Sequence, residues 1–166
     1  TYGVVEAQPS GYLDVGDKDS GDPSYISTIT VTSGNTSTGN DFVEELPGAI
    51  TGSVLADTDH NGSGDTGIGG VTLTLVDAAG NPVDGDPNTT GIQPVTAITS
   101  PTGTYSFTGL APGIYGVVET QPSGYVSVSD KDGGAPDEIL PISVTAGVEN
   151  TGNDFIEEVP GSITGS

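Results

Sequence analysis

The chain has 166 residues, and 23 acidic side chains against two lysines and one histidine give a formal net charge of −21. With almost nothing to neutralise phosphate, nucleic acid is excluded as a partner, and anionic membrane surfaces are disfavoured for the same reason. Absence of cysteine removes disulfide and thiol chemistry without arguing against secretion.

Residues 1–47 are best understood beside the last third of the chain. The run from Tyr2 to Tyr12 recurs from Tyr115 to Tyr125, an offset of 113 (115 − 2), with Ala7 and Thr120 the one difference. The offset holds through Asp17-Lys18-Asp19 and Asp130-Lys131-Asp132, and through Thr38 to Phe42 and Thr151 to Phe155. It still holds at Pro47 to Ser53 and Pro160 to Ser166. A fixed long period is the mark of a tandem array. Residues 48–160 therefore form one complete 113-residue unit, 1–47 the back of a preceding one, and 161–166 the start of the next. By this register the chain starts partway through a unit. Residues 1–47 lack the strands that would complete their own core, and these are expected from a preceding unit or a neighbouring copy. No signal peptide or membrane span is read.

Within the full unit the pattern is β throughout. Strands are expected at 49–55, 71–77, 92–99 (interrupted by Pro94), 104–108, 114–120, 125–129, 139–145 and 148–156. Val71, Leu73 and Leu75 alternate with Thr72, Thr74 and Val76, the period of a half-buried strand. Gly- and Pro-rich turns separate these runs, an exposed loop is expected at 83–91, and no segment carries a helical period. The expected fold is an all-β, two-sheet sandwich.

Between the first two strands lies the most informative stretch. Asp57, Asp59, Asn61 and Asp65 fall at alternate or near-alternate positions, with Gly62 directly after the Asn. Short oxygen side chains at this spacing, with a Gly for the bend, form the opening of a calcium loop. Position 12 of a helix-loop-helix calcium hand would be Ile68, where a bidentate Glu belongs, so further ligands must come from a carbonyl near Ser63, water or another loop. An Asp- and Gly-rich turn without metal is the bland alternative. Extracellular calcium is abundant, so the expected location is outside the cell or on its surface.

The segments Gly52 to Gly62, Gly67 to Val76 and Gly103 to Tyr115 resemble the calcium-binding B repeats of bacterial Sdr-type surface adhesins, relatives of the collagen-adhesin B domain. The resemblance covers nearly all of 48–160 and implies an immunoglobulin-like or prealbumin-like sandwich in a calcium-stiffened stalk. Two departures stand out: Leu55-Ala56 replaces the usual aromatic before the first loop acid, and Ser100 stands where an Asp is common. Collagen-adhesin B domains often carry a Lys–Asn isopeptide crosslink from a first-strand lysine. This chain has none there, which leaves Lys131 and Asn153 as a remote pairing.

Other acids remain open at this stage. Asp130, Asp132 and Asp137 form either a second cation site or a solvated loop, with Lys131 opposing a metal. Asp154, Glu157 and Glu158, with copies Asp41, Glu44 and Glu45, either supply ligands at the unit boundary or keep an acidic linker soluble. No nucleophile-base pair or phosphate loop is present, and His60, set among the loop acids, reads as a solvated residue rather than a general base. Abundant Ser and Thr on strand faces suit O-glycosylation. The expectation is a non-enzymatic, calcium-stabilised extracellular fibre or stalk whose partners are further copies of itself. A module binding a protein or glycan, and a filament with strand exchange between copies, are the alternatives.

Overall fold

A computed structural model describes residues 1–86 and 88–165. Pro87, within the loop expected at 83–91, and Ser166, the last residue of the expected next unit, lie outside the described residues. The chain divides into two compact units, Thr1–Pro47 and Gly48–Ser166.

In the first unit, β1 (Tyr2–Val5) pairs antiparallel with β3 (Tyr25–Ile29), and β2 (Leu13–Asp17) with β4 (Phe42–Glu45). Ile26 and Ile29 are its buried hydrophobic residues.

The second unit contains β5 (Gly48–Ala56), β6 (Thr66–Gly67), β7 (Thr72–Asp77), β8 (Thr96–Ile98), β9 (Thr104–Leu110), β10 (Gly113–Glu119), β11 (Val126–Asp130), β12 (Glu138–Val144), β13 (Glu149–Asn150) and β14 (Phe155–Glu158). One sheet has the order β12-β10-β7-β8. The other runs β11-β14-β5-β13, with β6 and β9 also pairing β5. Strand β5 pairs antiparallel with β9 (Ile50 opposite Phe107) and parallel with β14 (Val54 opposite Phe155). The core lies between the sheets: Ile50, Val54, Tyr105, Phe107 and Phe155 from one meet Leu73, Leu75, Val117, Ile139 and Ile142 from the other. Side-chain alternation along each strand produces this division, because every second residue faces the core. No helix occurs among the described residues, so none is long and apolar enough to cross a membrane.

Two expected strands differ in detail. The run 148–156 is not continuous: Thr151–Asp154 interrupts it between β13 and β14, with Gly152 at φ 68°. There the Asn153 side chain turns inward and donates to the carbonyls of Thr51 and Asn150, bonds that a continuous ladder would not allow. The run 92–99 is strand only at Thr96–Ile98, consistent with Pro94 having no N–H to give a ladder.

The two units share one pairing pattern. Tyr2 faces Ile29, Val4 faces Ile26 and Val5 faces Tyr25; 113 residues on, Tyr115 faces Ile142, Val117 faces Ile139 and Val118 faces Glu138. The β2–β4 and β11–β14 registers correspond in the same way, bulge included. What differs is cover. Val4 is 44% exposed, whereas its counterpart Val117, lying between β7 and β12 under the opposite sheet, is fully buried.

Candidate metal centre

Residues 57–65 connect β5 to β6 at one end of the second unit. Two backbone bonds close the loop: Asp65 N–H donates to the Ala56 carbonyl at 2.8 Å, and Ile68 N–H to that of Val54 at 2.8 Å. His60 and Gly62 adopt positive φ (60° and 85°), which folds the chain back over Asp57. The Asp57 side chain is the anchor, 2% exposed, with Oδ1 accepting from Asn61 N–H (3.2 Å) and Oδ2 from Gly62 N–H (2.7 Å). Burial opposes its ionisation, but the N–H groups of Gly62, Asn61, His60 and Asp59 hold its carboxyl below the usual range. Asp65 is likewise held low, by the hydroxyl and N–H of Thr58 at 2.7 and 2.8 Å. Asn61 Oδ1 accepts from Ser63 N–H at 2.8 Å.

One carboxylate oxygen from each of Asp57, Asp59 and Asp65 lies within 4.8 Å of the others. These are hard oxygen donors with two carboxyls already biased to the ionised form, and they fit calcium in kind. The loop's histidine is directed elsewhere, with Nδ1 3.2 Å from Glu158 Oε2.

Asp130 and Asp132 stand differently. Asp130 Oδ1 accepts from Asp132 and Gly133 N–H (3.0 and 2.8 Å), while Asp132 accepts from Gly134 and Leu140 N–H (both 2.8 Å). They shape the turn after β11 and tie it to β12. Asp137 is not grouped with them. It stands instead with Glu119, at the end of β10, and Glu157, on β14, again with one oxygen from each within 4.8 Å of the others. Gln121 Nε2 donates to Glu157 Oε2, and the Ser127 hydroxyl lies against both Gln121 Oε1 and Asp137 Oδ1. Burial, then the charges of Glu157 and Asp137, pushes the Glu119 carboxyl up to about 8; burial raises Glu157 as well. Asp154 is used locally, accepting from Ser53 N–H at 2.8 Å.

Spacing along the chain conceals this second cluster, since its members come from three separate stretches. A signal was nonetheless there: Glu119 follows Val117 by two residues and Glu157 follows Phe155 by two, so strand alternation puts both acids on core-facing positions.

Lys131 Nζ donates to Asn153 Oδ1 (2.9 Å), Asn150 Oδ1 (3.1 Å) and the Thr151 carbonyl (3.0 Å). The fully buried Asn153 also accepts at its backbone carbonyl from Tyr105 OH, at 2.6 Å.

Residues 48–141 match the family model of the SdrD B-like domain. Among curated proteins none matches the sequence. Among solved structures, the minor pilin GBS52 of Streptococcus agalactiae resembles the chain with a TM-score of 0.51 at 19% identity, over 74% of this chain and 49% of the pilin. The shaft pilin spaA of Lactobacillus rhamnosus GG gives 0.47 at 15% identity, over 96% and 64%. The major pilin SpaD of Corynebacterium diphtheriae gives 0.42 at 21%, over 68% and 30%. The chain thus spans about half the length of the first of these and less than two thirds of the others. At 19% identity the likeness to the minor pilin concerns the fold alone.

Proposed function

This chain belongs to the SdrD B-like domain family, and from that premise we propose that it is a structural module of an extracellular fibre or surface stalk, built from repeated sandwiches and stiffened by calcium. The observation that carries the reading is the common strand register of the two units 113 residues apart. Repeated units that each contact their neighbours in turn build length, not a pocket. Calcium enters at the Asp57 loop, where Asp57, Asp59 and Asp65 hold the ion with Asn61 as a further oxygen donor. An ion there fixes the end of β5 to β6. With a net charge of −21, the folded chain gains stability from each divalent cation that it takes up.

The partners in this reading are further copies of the unit. Support comes from Val4 and Phe42, exposed or half-buried in the first unit where Val117 and Phe155 are fully buried in the second. Strands equivalent to β5, β7 and β9 would cover them, supplied either in tandem or by a neighbouring copy in a strand-exchanged filament. The module is non-enzymatic, and its Asp130 and Asp132 serve the turn after β11.

Limited proteolysis and thermal melting of the whole chain, in calcium and in excess chelator, test this. Chelation is expected to lower the melting temperature and to open cleavage sites in the Asp57 loop. Superimposable melting curves and digests would contradict a stabilising role for calcium.

A further inference from the structure

Glu119 is 4% exposed and neither of its carboxylate oxygens has a hydrogen-bond partner; Glu157 is fully buried and its Oε1 has none. An uncompensated buried carboxylate is strongly destabilising, and two facing each other beside Asp137 are more so. No side chain supplies the countercharge. Both lysines are held by Asn, Thr and carbonyl oxygens, Lys131 by Asn150, Thr151 and Asn153, and Lys18 by Thr38 and Asn40. His60 faces Glu158, and the chain has no other basic side chain. The single Ser127 hydrogen meets two acceptors, Gln121 Oε1 and Asp137 Oδ1, so one of those oxygens is also left over.

We propose that a divalent cation, calcium by its donor set, binds between Glu119, Asp137 and Glu157, with Gln121 Oε1 and Ser127 Oγ as further oxygen ligands. Glu119 closes β10 of one sheet and Asp137 immediately precedes β12 of the same sheet, whereas Ser127 and Glu157 are cross-strand neighbours in the other. An ion held here clamps sheet to sheet. Three carboxylates plus neutral oxygens, some on long flexible side chains, suit the irregular oxygen shell of calcium better than the strict octahedron of magnesium.

The first unit carries the same set in altered form. Glu6, Gln8 and Glu44 match Glu119, Gln121 and Glu157, but Asp14 and Ser24 stand where the second unit has Ser127 and Asp137. Acid and hydroxyl have exchanged places, and the contact survives: Ser24 Oγ donates to Asp14 Oδ2 at 2.8 Å. Glu6, Asp14 and Glu44 again bring one oxygen each within 4.8 Å, and Gln8 Nε2 donates to Glu44 Oε2 at 2.7 Å. Two opposite changes that retain three carboxylates and one hydroxyl are what a ligand shell requires and what a merely solvated acidic surface does not.

This site stands apart from the Asp57 loop, and either can bind without the other. Equilibrium dialysis of the whole chain against calcium chloride counts the ions held. Glu119→Gln with Glu157→Gln is expected to hold one calcium fewer per chain than the wild type. In chelator that variant is expected to melt at least as high as the wild type, because the repulsion is gone. Asp57→Asn with Asp59→Asn, which tests the loop, is expected to leave the loss on Glu119→Gln with Glu157→Gln intact. Should the buried substitutions impair folding, Asp137→Asn, at the most accessible of the three acids, reads the same ion. An unchanged count on these substitutions overturns the proposal, as does calcium binding that vanishes entirely with the loop variant; a shared proton would then be what neutralises the acids.

Discussion

The backbone N–H of Asp57 donates to the carbonyl oxygen of Glu157 at 2.8 Å. The first acid of the β5–β6 loop and the buried acid of β14 therefore share one rung of the sheet. Two acidic groups that share no carboxylate thus lie at the same end of the sandwich, linked through one backbone hydrogen bond.

The loop can be tested by itself. Asp57→Asn with Asp59→Asn should reduce the calcium-dependent rise in melting temperature and should also lower the melting temperature in chelator, because an Asn amide cannot accept from both the Asn61 and Gly62 N–H groups. At a calcium concentration about 100 times the dissociation constant, one site contributes roughly 2.7 kcal/mol, and its loss is visible by calorimetry. An equal calcium response in variant and wild type would remove the loop from the account.

In chelator, stability has a defined pH dependence. The Glu119 carboxyl is pushed from 4.5 to about 8 in the folded chain, by burial first and then by Glu157 and Asp137. Between those values the folded state holds a proton that the unfolded state has lost, so stability falls as pH rises from about 4.5 to about 8 and then levels. Asp65, held below its usual value by Thr58, acts in the opposite sense and costs stability as pH drops below about 4. Melting in chelator is expected to be highest near pH 5. A melting temperature that climbs between pH 5 and pH 8 would contradict the buried-acid assignment.

The exchange of acid and hydroxyl between the units gives a sharper test. Asp137→Ser alone should weaken calcium binding in the second unit about tenfold or more, since one charged ligand is gone. Adding Ser127→Asp recreates the arrangement of Asp14 and Ser24 and should restore binding. Failure of the double exchange to recover calcium would mean that the two positions are not interchangeable ligands.

Asn153 ties β14 to its surroundings through bonds to Lys131, Thr51 and Asn150. Asn153→Ala removes one of the three acceptors of the Lys131 ammonium and the side-chain donor to the Thr51 and Asn150 carbonyls, and is expected to cost about 1–3 kcal/mol in urea unfolding. Lys131→Met takes the same donor from Asn153 Oδ1, Asn150 Oδ1 and the Thr151 carbonyl, of which the Asn153 oxygen belongs to a buried residue, and should cost about 1–3 kcal/mol. If both substitutions are silent, the latch does not contribute.

Much of the fold was legible because it is local. Alternation at Leu73 and Leu75, and at Tyr105 and Phe107, marks strands whose core face is apolar, and Gly-Pro turns mark their ends. The break at Thr151–Asp154 was not legible, since it depends on Asn153 finding carbonyls on β5 and β13, contacts about 100 and 3 residues away. The pairing of β6 with β5 escaped for a similar reason, as two residues carry no period. Asp57, Asp59 and Asp65 could be grouped by spacing alone. Asp137 could not be assigned by spacing: its chain neighbours Asp130, through Oδ1, and Asp132 accept backbone N–H groups, and its companions arrive through the folding of β10 and β14. Glu157 was legible only as one of three boundary acids, and Glu119 not at all, because acids are mostly exposed, whereas here each occupies a core-facing step of its strand.

Single-molecule pulling of the whole chain, in calcium and then in chelator, addresses the stiffened-stalk reading most directly. The force needed to unfold the unit beginning at Gly48 should be distinctly higher with calcium, and the difference should shrink when the Asp57 and Glu119 groups are neutralised. Identical force distributions in the two solutions would contradict it.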